Sequence, residues 1–304
     1  MMMSDPLRAN PTFTQMAPNG YVAASNPVPD AAVDKLKKWL VANGANLSRA
    51  LTVTVKPGLV AADTIQRSGM GLAAAVPIPL GTELVSLPLS CQLRWVKKQE
   101  ACSAIQWRVQ SVAARVVPPD LWDMRFTILV HAALFGSLKD FGAWVDVLPE
   151  PPDTPLFWKA GRLKEVGERF PNLSSEVLGK AQLLKKMSTA LQAGGAIPQE
   201  ELKLLGPVSV RSLAKAYAVV SSRVLGPRAA ARFCPLVDFA THSFTPNCEV
   251  KIESEGARKG HVRLVATNNI AAGSGLFCSY GPYTNQQLLL DYGFIVNSNP
   301  HGDA

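Results

Sequence analysis

Two short segments near the C-terminus hold most of the candidate chemistry of this chain and limit what it can fold into. The first is PLVDFATHSFTPNCEV (235–250), in which polar side chains stand in a short apolar frame. The second is SYGPYTNQQLLLDYGF (279–294), which carries three tyrosines, Tyr280, Tyr283 and Tyr292. This tyrosine-rich run has no carboxylate pair and no cluster of metal ligands. Chemistry that relies on tyrosine hydroxyls and backbone carbonyls suits the transfer of a group that arrives already activated on a cofactor.

The bulk composition is that of a globular protein. The chain has 304 residues, of which 47% are hydrophobic and 18% charged, so it can bury a core as one large domain or two smaller ones. Its longest apolar run, around residues 126–135, is interrupted by Thr127 and His131. That run is too short to span a bilayer. We therefore expect a soluble chain without a membrane partner.

The formal net charge of +8 raises the question of a nucleic-acid partner. The basic residues are scattered, and no run of Lys or Arg is longer than two. This distribution favours a generally basic surface that suits acidic protein partners. We expect no nucleic-acid partner and a monomeric chain.

The cysteines and the N-terminus bear on the compartment. The five cysteines form no C-x-x-C pair and are odd in number, which indicates reduced thiols in an intracellular protein. Residues 1–30 contain no hydrophobic core of a secretory signal, and we expect a disordered tail there. A chloroplast transit peptide is the alternative. The compartment stays open between chloroplast stroma and cytoplasm.

The local patterns predict strands on either side of a helical region. ELVSL (83–87) alternates as a strand does, and EVKIE (249–253) and HVRLVAT (261–267) predict a hairpin. GLFCSY (275–280) predicts a further strand after the turn at Gly273. Between these strands, the segment 121–136 is apolar nearly all round, which predicts a buried helix with His131 as a packed core residue.

The two C-terminal segments resemble motifs of the SET-domain protein methyltransferases, most of all the plant branch that includes the Rubisco large-subunit lysine methyltransferase. D-F-A-T-H-S (238–243) is similar to the D-x-x-N-H-S of that branch, and residues 280–294 match its Y-G-x-x-x-N-x-x-L-L-x-x-Y-G-F. SGMGLAAAVPIPLGTELVSLP (68–88) and SSR (221–223) add to the likeness. Similar segments run from about Leu36 to Pro300.

The resemblance implies an α+β SET fold of small β-sheets interrupted by a helical insert. We expect residues 31–95 to form the N-terminal part of the SET domain, 96–225 the insert and 226–304 the C-terminal part. The C-terminal substrate-binding domain of the family is expected to be absent from this chain.

A dinucleotide site is the competing interpretation of the glycines near residue 70. Gly69-x-Gly71-x-x-Ala74 fits that fingerprint formally, but the fingerprint needs a helix directly after the glycines. Pro77 and Pro79 exclude such a helix. The SET interpretation asks only for small residues that let the backbone approach a cofactor.

The resemblance implies that the protein is an S-adenosylmethionine-dependent lysine N-methyltransferase, whose partner is a protein with an exposed lysine. It assigns catalytic roles to Tyr280 and Tyr292, the substrate channel to Phe294, and cofactor binding to Gly69, Met70, Gly71, Arg223, Asp238, Thr241 and His242. No metal is expected, because no cysteine follows Cys278 to complete a zinc site with Cys248.

One departure from the motif leaves alternatives open. Thr241 stands where the branch has asparagine, and threonine keeps a hydroxyl but loses the amide's reach and second donor. A SET-like module that binds a partner protein without turnover is one alternative. A protein-histidine methyltransferase is the other.

Overall fold

The computed structural model describes residues 28–54, 64–65, 70–97, 100, 102–195 and 197–303. Most of the tail predicted for residues 1–30 therefore lies outside the described residues. The helices are α1 Asp30–Ala42, α2 Ala104–Val116, α3 Trp122–Phe135, α4 Gly142–Val145, α5 Ala160–Gly167, α6 Leu173–Ala193, α7 Gln199–Leu202, α8 Val210–Arg223 and α9 Asn285–Tyr292. The strands are β1 Asn46–Leu47, β2 Leu51–Thr54, β3 Thr64–Ile65, β4 Gly71–Ala74, β5 Glu83–Leu87, β6 Leu93–Arg94, β7 Arg232–Phe233, β8 Thr241–His242, β9 Cys248–Ile252, β10 Val262–Ala266, β11 Phe277–Cys278 and β12 Ile295–Val296.

The sheets pair strands that are far apart in the chain. A four-stranded antiparallel sheet has the order β1-β5-β10-β9, and β9 and β10 form the predicted hairpin. Further two-stranded pairs join β2 to β4, β6 to β7, β3 to β12 and β8 to β11. Because β5, β6 and β3 pair with strands that follow the helices, neither half of the strand set can complete its sheets alone.

The helices α2 to α8 lie in the chain between β6 and β7. Their centre is α3, which is buried along most of its length, as its apolar sequence predicts, and packs against α2 and α8. Ser209 begins α8 with a capping box formed with Ser212, which satisfies backbone donors at the start of that helix. The predicted α+β fold, with small sheets interrupted by a helical insert, is confirmed. The insert boundaries of 96 and 225 stay predictions.

His131 lies inside α3 as the predicted core histidine. Its Nε2 atom is 2.9 Å from the hydroxyl oxygen of Ser212 on α8. Burial lowers its pKa to about 4, so the ring is neutral at neutral pH. The neutral His131 side chain therefore links α3 to α8 within the core.

Within the described residues, no single helix is both long and apolar enough to cross a membrane. The segments Trp122–Phe135 and Lys139–Val145 meet the length and composition criteria only as a pair, and they are bent by 72° relative to each other.

Gly136 gives a direct test of the packing at the end of α3. A Cβ atom at this position would lie 2.2 Å from the carbonyl oxygen of Leu204, far inside van der Waals contact. We expect Gly136→Ala to lower the free energy of unfolding by about 1–3 kcal/mol, because the backbone around residue 204 must move. Urea unfolding followed by circular dichroism measures the difference.

The matched control is Gly179→Ala inside α6, where an added Cβ meets nothing within 4 Å. Alanine there should stabilise the protein by roughly 0.5–1 kcal/mol, since it favours the helix. Equal stability of the two variants would contradict the close approach at Gly136.

Candidate functional site

Parallel pairing of β8 with β11 brings the two C-terminal motifs together. Thr241 lies opposite Phe277, and His242 lies opposite Cys278. The side chain of Asn247 braces the same junction, since it accepts a hydrogen bond from the Phe277 N–H at 2.8 Å and donates one to the Gly275 carbonyl at 2.9 Å. These contacts fix the backbone that leads into Tyr280.

Tyr280 is held at both its backbone and its hydroxyl. Its N–H donates to Nδ1 of His242 at 3.1 Å, which makes that nitrogen the acceptor. Its hydroxyl donates to the carbonyl oxygen of Ala240 at 2.9 Å. Burial raises the pKa of Tyr280, and the nearby charge of Arg223 opposes this only in part. The phenol is therefore protonated and has one defined orientation.

Tyr280 belongs to an aromatic cluster with Tyr283, Tyr292 and Phe294. The rings of Tyr280 and Tyr292 stack with centroids 4.9 Å apart, and those of Tyr292 and Phe294 lie 6.0 Å apart. A capping box between Thr284 and Gln287 begins α9, which ends at Tyr292. The structure thus brings together the three residues predicted for catalysis and for the substrate channel.

Gly293 allows the turn between Tyr292 and Phe294. Its φ of +77° is in the left-handed region, which glycine adopts without strain. A Cβ atom at this position would lie 3.2 Å from the carbonyl carbon and oxygen of Asp153. The backbone at Gly293 therefore lies close to that of residue 153 in the helical insert, with little room for a side chain between them.

A buried ion pair lies beside the aromatic cluster. Arg223 Nη1 is 3.3 Å from Asp238 Oδ2 and 3.1 Å from the Asp238 carbonyl oxygen, and Trp144 Nε1 donates to the same Oδ2 at 3.0 Å. The Asp238 side chain is fully buried. Burial raises the pKa of this carboxyl, while Arg223 and Trp144 favour its charged form. Its other oxygen, Oδ1, has no hydrogen-bond partner among the described residues.

The backbone before Asp238 is strained. Leu236 has φ of +76° although it is not glycine, and it is fully buried. Such a conformation costs on the order of 1–3 kcal/mol and persists only where surrounding contacts enforce it. The turn that carries Asp238 is therefore held in place by its neighbours.

A cavity of about 640 Å³ opens between α8, α9 and the turn that carries Asp238. Four of the predicted site residues line it: Arg223, Asp238, Tyr280 and Tyr292. Further side chains from the insert also line it, among them Asp123, Lys180 and Tyr217. The insert is therefore part of the site.

The other predicted cofactor residues lie on neighbouring strands. Met70 and Gly71 are buried at the start of β4, and a Cβ on Gly71 would lie 3.4 Å from Thr241 Oγ1. Thr241 and His242 are buried in β8. Gly69, the remaining predicted residue, lies outside the described residues. The structure thus separates the predicted cofactor residues into a cavity-lining pair and a set on β4 and β8.

Several residues of the site were missed by sequence reasoning. Tyr217 fits a core helical stripe, yet it also lines the cavity, where its hydroxyl contacts the Lys180 ammonium. Asp291 directly precedes Tyr292 in the motif, and that adjacency was a signal that could have identified it. Trp144 had no local signal, since its partner Asp238 is 94 residues away.

Metal ligation has no candidate in the described part of the chain. No group of three or more His, Cys, Asp or Glu side chains lies close enough there to hold an ion. The five cysteines are free thiols, and burial raises the pKa of Cys91 to about 11 and of Cys248 to about 12.

Known proteins with similar sequences include SET-domain proteins and a lysine methyltransferase. SET domain-containing protein 4 of Mus musculus is 24% identical over 251 residues, which cover 77% of this chain and 54% of that protein. Ribosomal lysine N-methyltransferase set10 of Schizosaccharomyces pombe is 35% identical over 66 residues, which cover 22% of this chain and 12% of that protein. This chain thus spans about half the length of the mouse relative.

A solved structure shares the fold. The SET domain of LSMT bound to lysine and AdoHcy superposes with a TM-score of 0.66 at 19% identity, over 88% of this chain and 58% of that one. The model of the SET domain family matches residues 69–281, which is more than half of the chain. The chain belongs to the SET-domain family.

Proposed function

We propose that the protein transfers a methyl group from S-adenosylmethionine to the side-chain amine of a lysine in a protein substrate. The observation that carries this proposal is the fixed Tyr280 hydroxyl on the wall of a cavity that Tyr292 shares. Two comparisons support it: a related fission-yeast protein is named a ribosomal lysine N-methyltransferase, and a similar fold is known with lysine and AdoHcy bound.

The residues present fit S-adenosylmethionine as the cofactor. The cofactor carries an amino group and hydroxyls as donors, and a carboxylate. Asp238 and Arg223 line the cavity, and Asp238 Oδ1 is a buried acceptor without a hydrogen-bond partner among the described residues. Met70, Gly71, Thr241 and His242 do not line the cavity, and they would hold the part of the cofactor that extends from it to β4 and β8. When bound, it supplies a methyl group on a positively charged sulfur, which a neutral amine can accept directly.

Tyr280 is suited to orient the amine. Because its hydroxyl proton is donated to Ala240, the lone pairs of the hydroxyl oxygen are left to accept an N–H from the lysine. Its raised pKa keeps it protonated, so it does not act as the base. Correct alignment of the reacting atoms is itself a large contribution to rate.

The aromatic cluster favours the neutral form of the substrate lysine, which is the form that can accept the methyl group. A free lysine has a pKa near 10.4, so deprotonation at pH 7 costs about 4–5 kcal/mol. The rings of Tyr280 and Tyr292 line the cavity, and Phe294 is buried against Tyr292. Transfer of an ammonium into aromatic, poorly solvated surroundings favours its neutral form. The proton then leaves to water before the amine reacts.

Tyr280→Phe tests the role of the hydroxyl. The ring still stacks on Tyr292, so affinity for S-adenosylmethionine should stay within a few-fold of wild type. Methyl transfer to proteins of a cell extract should fall by about 10²-fold or more, which is typical of a lost oriented hydrogen-bonding group. Labelled-methyl incorporation gives the rate, and isothermal titration gives the affinity.

The matched control is Tyr283→Phe, which removes a hydroxyl from the same aromatic cluster without touching the bond to Ala240. We expect its rate to fall less than tenfold, on the scale of one ordinary hydrogen bond. Wild-type activity in Tyr280→Phe would contradict the assigned role. Cofactor binding without transfer by the wild-type chain would favour the non-catalytic module.

Gly71→Ala tests where the cofactor lies. An added Cβ would be in ordinary contact with Thr241 Oγ1 at 3.4 Å, so the melting temperature should hardly change. If the cofactor contacts the backbone of residue 71, the alanine side chain should weaken the binding of S-adenosylmethionine by about tenfold. Gly161→Ala, at an open position in α5, is the control. Unchanged affinity in Gly71→Ala would exclude β4 from the cofactor site.

A further inference from the structure

Asp291 is a carboxylate of the cavity that the mechanism above leaves unused. It lies in the last turn of α9, next to Tyr292, and lines the same cavity as Tyr280. Its backbone carbonyl accepts a hydrogen bond from Ser221 Oγ at 3.0 Å, which fixes the turn. Within the part of the chain that the structure describes, its carboxylate makes no hydrogen bond or ion pair.

The surroundings of Asp291 make its negative charge costly. Burial raises its pKa to about 6, and the charges of Glu176 and Asp123 add to this. Asp291 also lies at the C-terminal end of a helix, where the helix dipole disfavours an anion. Lys180 is a nearby cation that opposes the shift.

Lys180 offsets this charge only in part. Its ammonium contacts the hydroxyl of Tyr217 and lies 4.8 Å from the centroid of the Tyr217 ring, so it is directed to the phenol. Asp123, from α3, also lines the cavity. Among the other charged residues that line the cavity, Arg223 pairs with Asp238, and Arg228 donates to the Pro119 carbonyl oxygen at 2.6 Å. Among the described residues of the cavity, two carboxylates, Asp291 and Asp123, therefore remain with the one cation Lys180.

The reacting lysine is not the cation that this carboxylate suits. A carboxylate beside the reacting amine would stabilise its ammonium form and so oppose the deprotonation that transfer requires. A neighbouring side chain of the substrate that stays charged throughout has no such conflict. Arginine is the natural example, because it keeps its proton in proteins and matches a carboxylate with two donors.

We propose that Asp291, together with Asp123, binds a basic side chain next to the target lysine, so that the protein selects lysines in basic segments. This inference rests on the proposed function, and it specifies the class of protein substrate that the same cavity would accept. Lys180 then competes with the substrate cation for electrostatic interaction with the Asp291 carboxylate. Removal of Asp291 and removal of Lys180 should therefore have opposite effects.

Paired peptides test the inference by binding, without a need for turnover. Each fluorescent peptide has one central lysine, flanked either by arginine or by citrulline, which has the same shape without the charge. We expect the wild-type chain to bind the arginine peptide about tenfold more tightly in fluorescence anisotropy. Asp291→Asn should abolish the preference, and Lys180→Gln should enlarge it.

Glu255→Gln is the control, because this exposed carboxylate lies in the loop between β9 and β10 and not among the cavity residues. It should keep the wild-type preference. No arginine preference in the wild type, including no detectable binding of either peptide, overturns the inference. An equal loss for both peptides in Asp291→Asn overturns it too. Methyl transfer without the preference overturns this inference alone, whereas no transfer to any peptide or extract protein counts against the proposed function.

Stability provides a second readout. A folded-state pKa of about 6, above the ordinary 3.8, means that folding disfavours the ionised carboxyl. That cost is present above pH 6 and disappears as the pH falls toward 4. Asp291→Asn should therefore melt at a higher temperature than wild type at pH 7.5, and the difference should vanish near pH 4. A lower melting temperature at pH 7.5 would show that the carboxylate is held by structural contacts, which overturns the inference.

Discussion

One buried carboxylate ties together three parts of the chain that are distant in sequence. Asp238 receives the indole N–H of Trp144 from α4 and the guanidinium of Arg223 from the end of α8. Loss of one partner from such a buried pair typically costs 3–5 kcal/mol, because the remaining charge is left without compensation. The site therefore depends on the insert and on the C-terminal strands being docked at the same time.

The division of the chain into sheets and insert has a functional consequence. The strands β8 and β11 fix Tyr280 from one side, through His242 and the carbonyl of Ala240. The insert supplies further side chains that line the cavity, among them Tyr217 and Lys180. Under the proposed function, the strands position Tyr280 for the reaction, and substrate selectivity is shared between Asp123 of the insert and Asp291 of α9.

Sequence reasoning identified what is encoded locally. The hairpin of β9 and β10, the buried helix α3 and the motif tyrosines follow from periodicity or from family motifs that are continuous in sequence. The predicted strand 275–280 is shorter in the structure, where β11 covers only Phe277 and Cys278. At the beginning of β11, the Asn247 side chain hydrogen-bonds to the Phe277 N–H and to the Gly275 carbonyl, and after its end the Tyr280 N–H donates to His242 Nδ1. Local sequence patterns do not predict such hydrogen bonds between a side chain and the backbone of a distant strand.

The remaining features could not be predicted because they arise from contacts between distant segments. Trp144 reaches Asp238 only once α4 is packed. The altered acidity of Asp291 depends on its burial and on charges from α3 and α6. The positive φ of Leu236 likewise has no signature in its own residue type. Each of these features lies at the site, where local preferences are most often overridden by function.

The most direct test of the account is to identify the residue that this protein modifies. The purified chain, labelled S-adenosylmethionine and a cell extract are incubated together, and mass spectrometry locates the label. The proposed function predicts methylated lysines in one or a few proteins, and about 10²-fold less label, or still less, when Tyr280→Phe replaces the wild-type chain. Label on histidine, or no labelled protein at all although the cofactor binds, would contradict it.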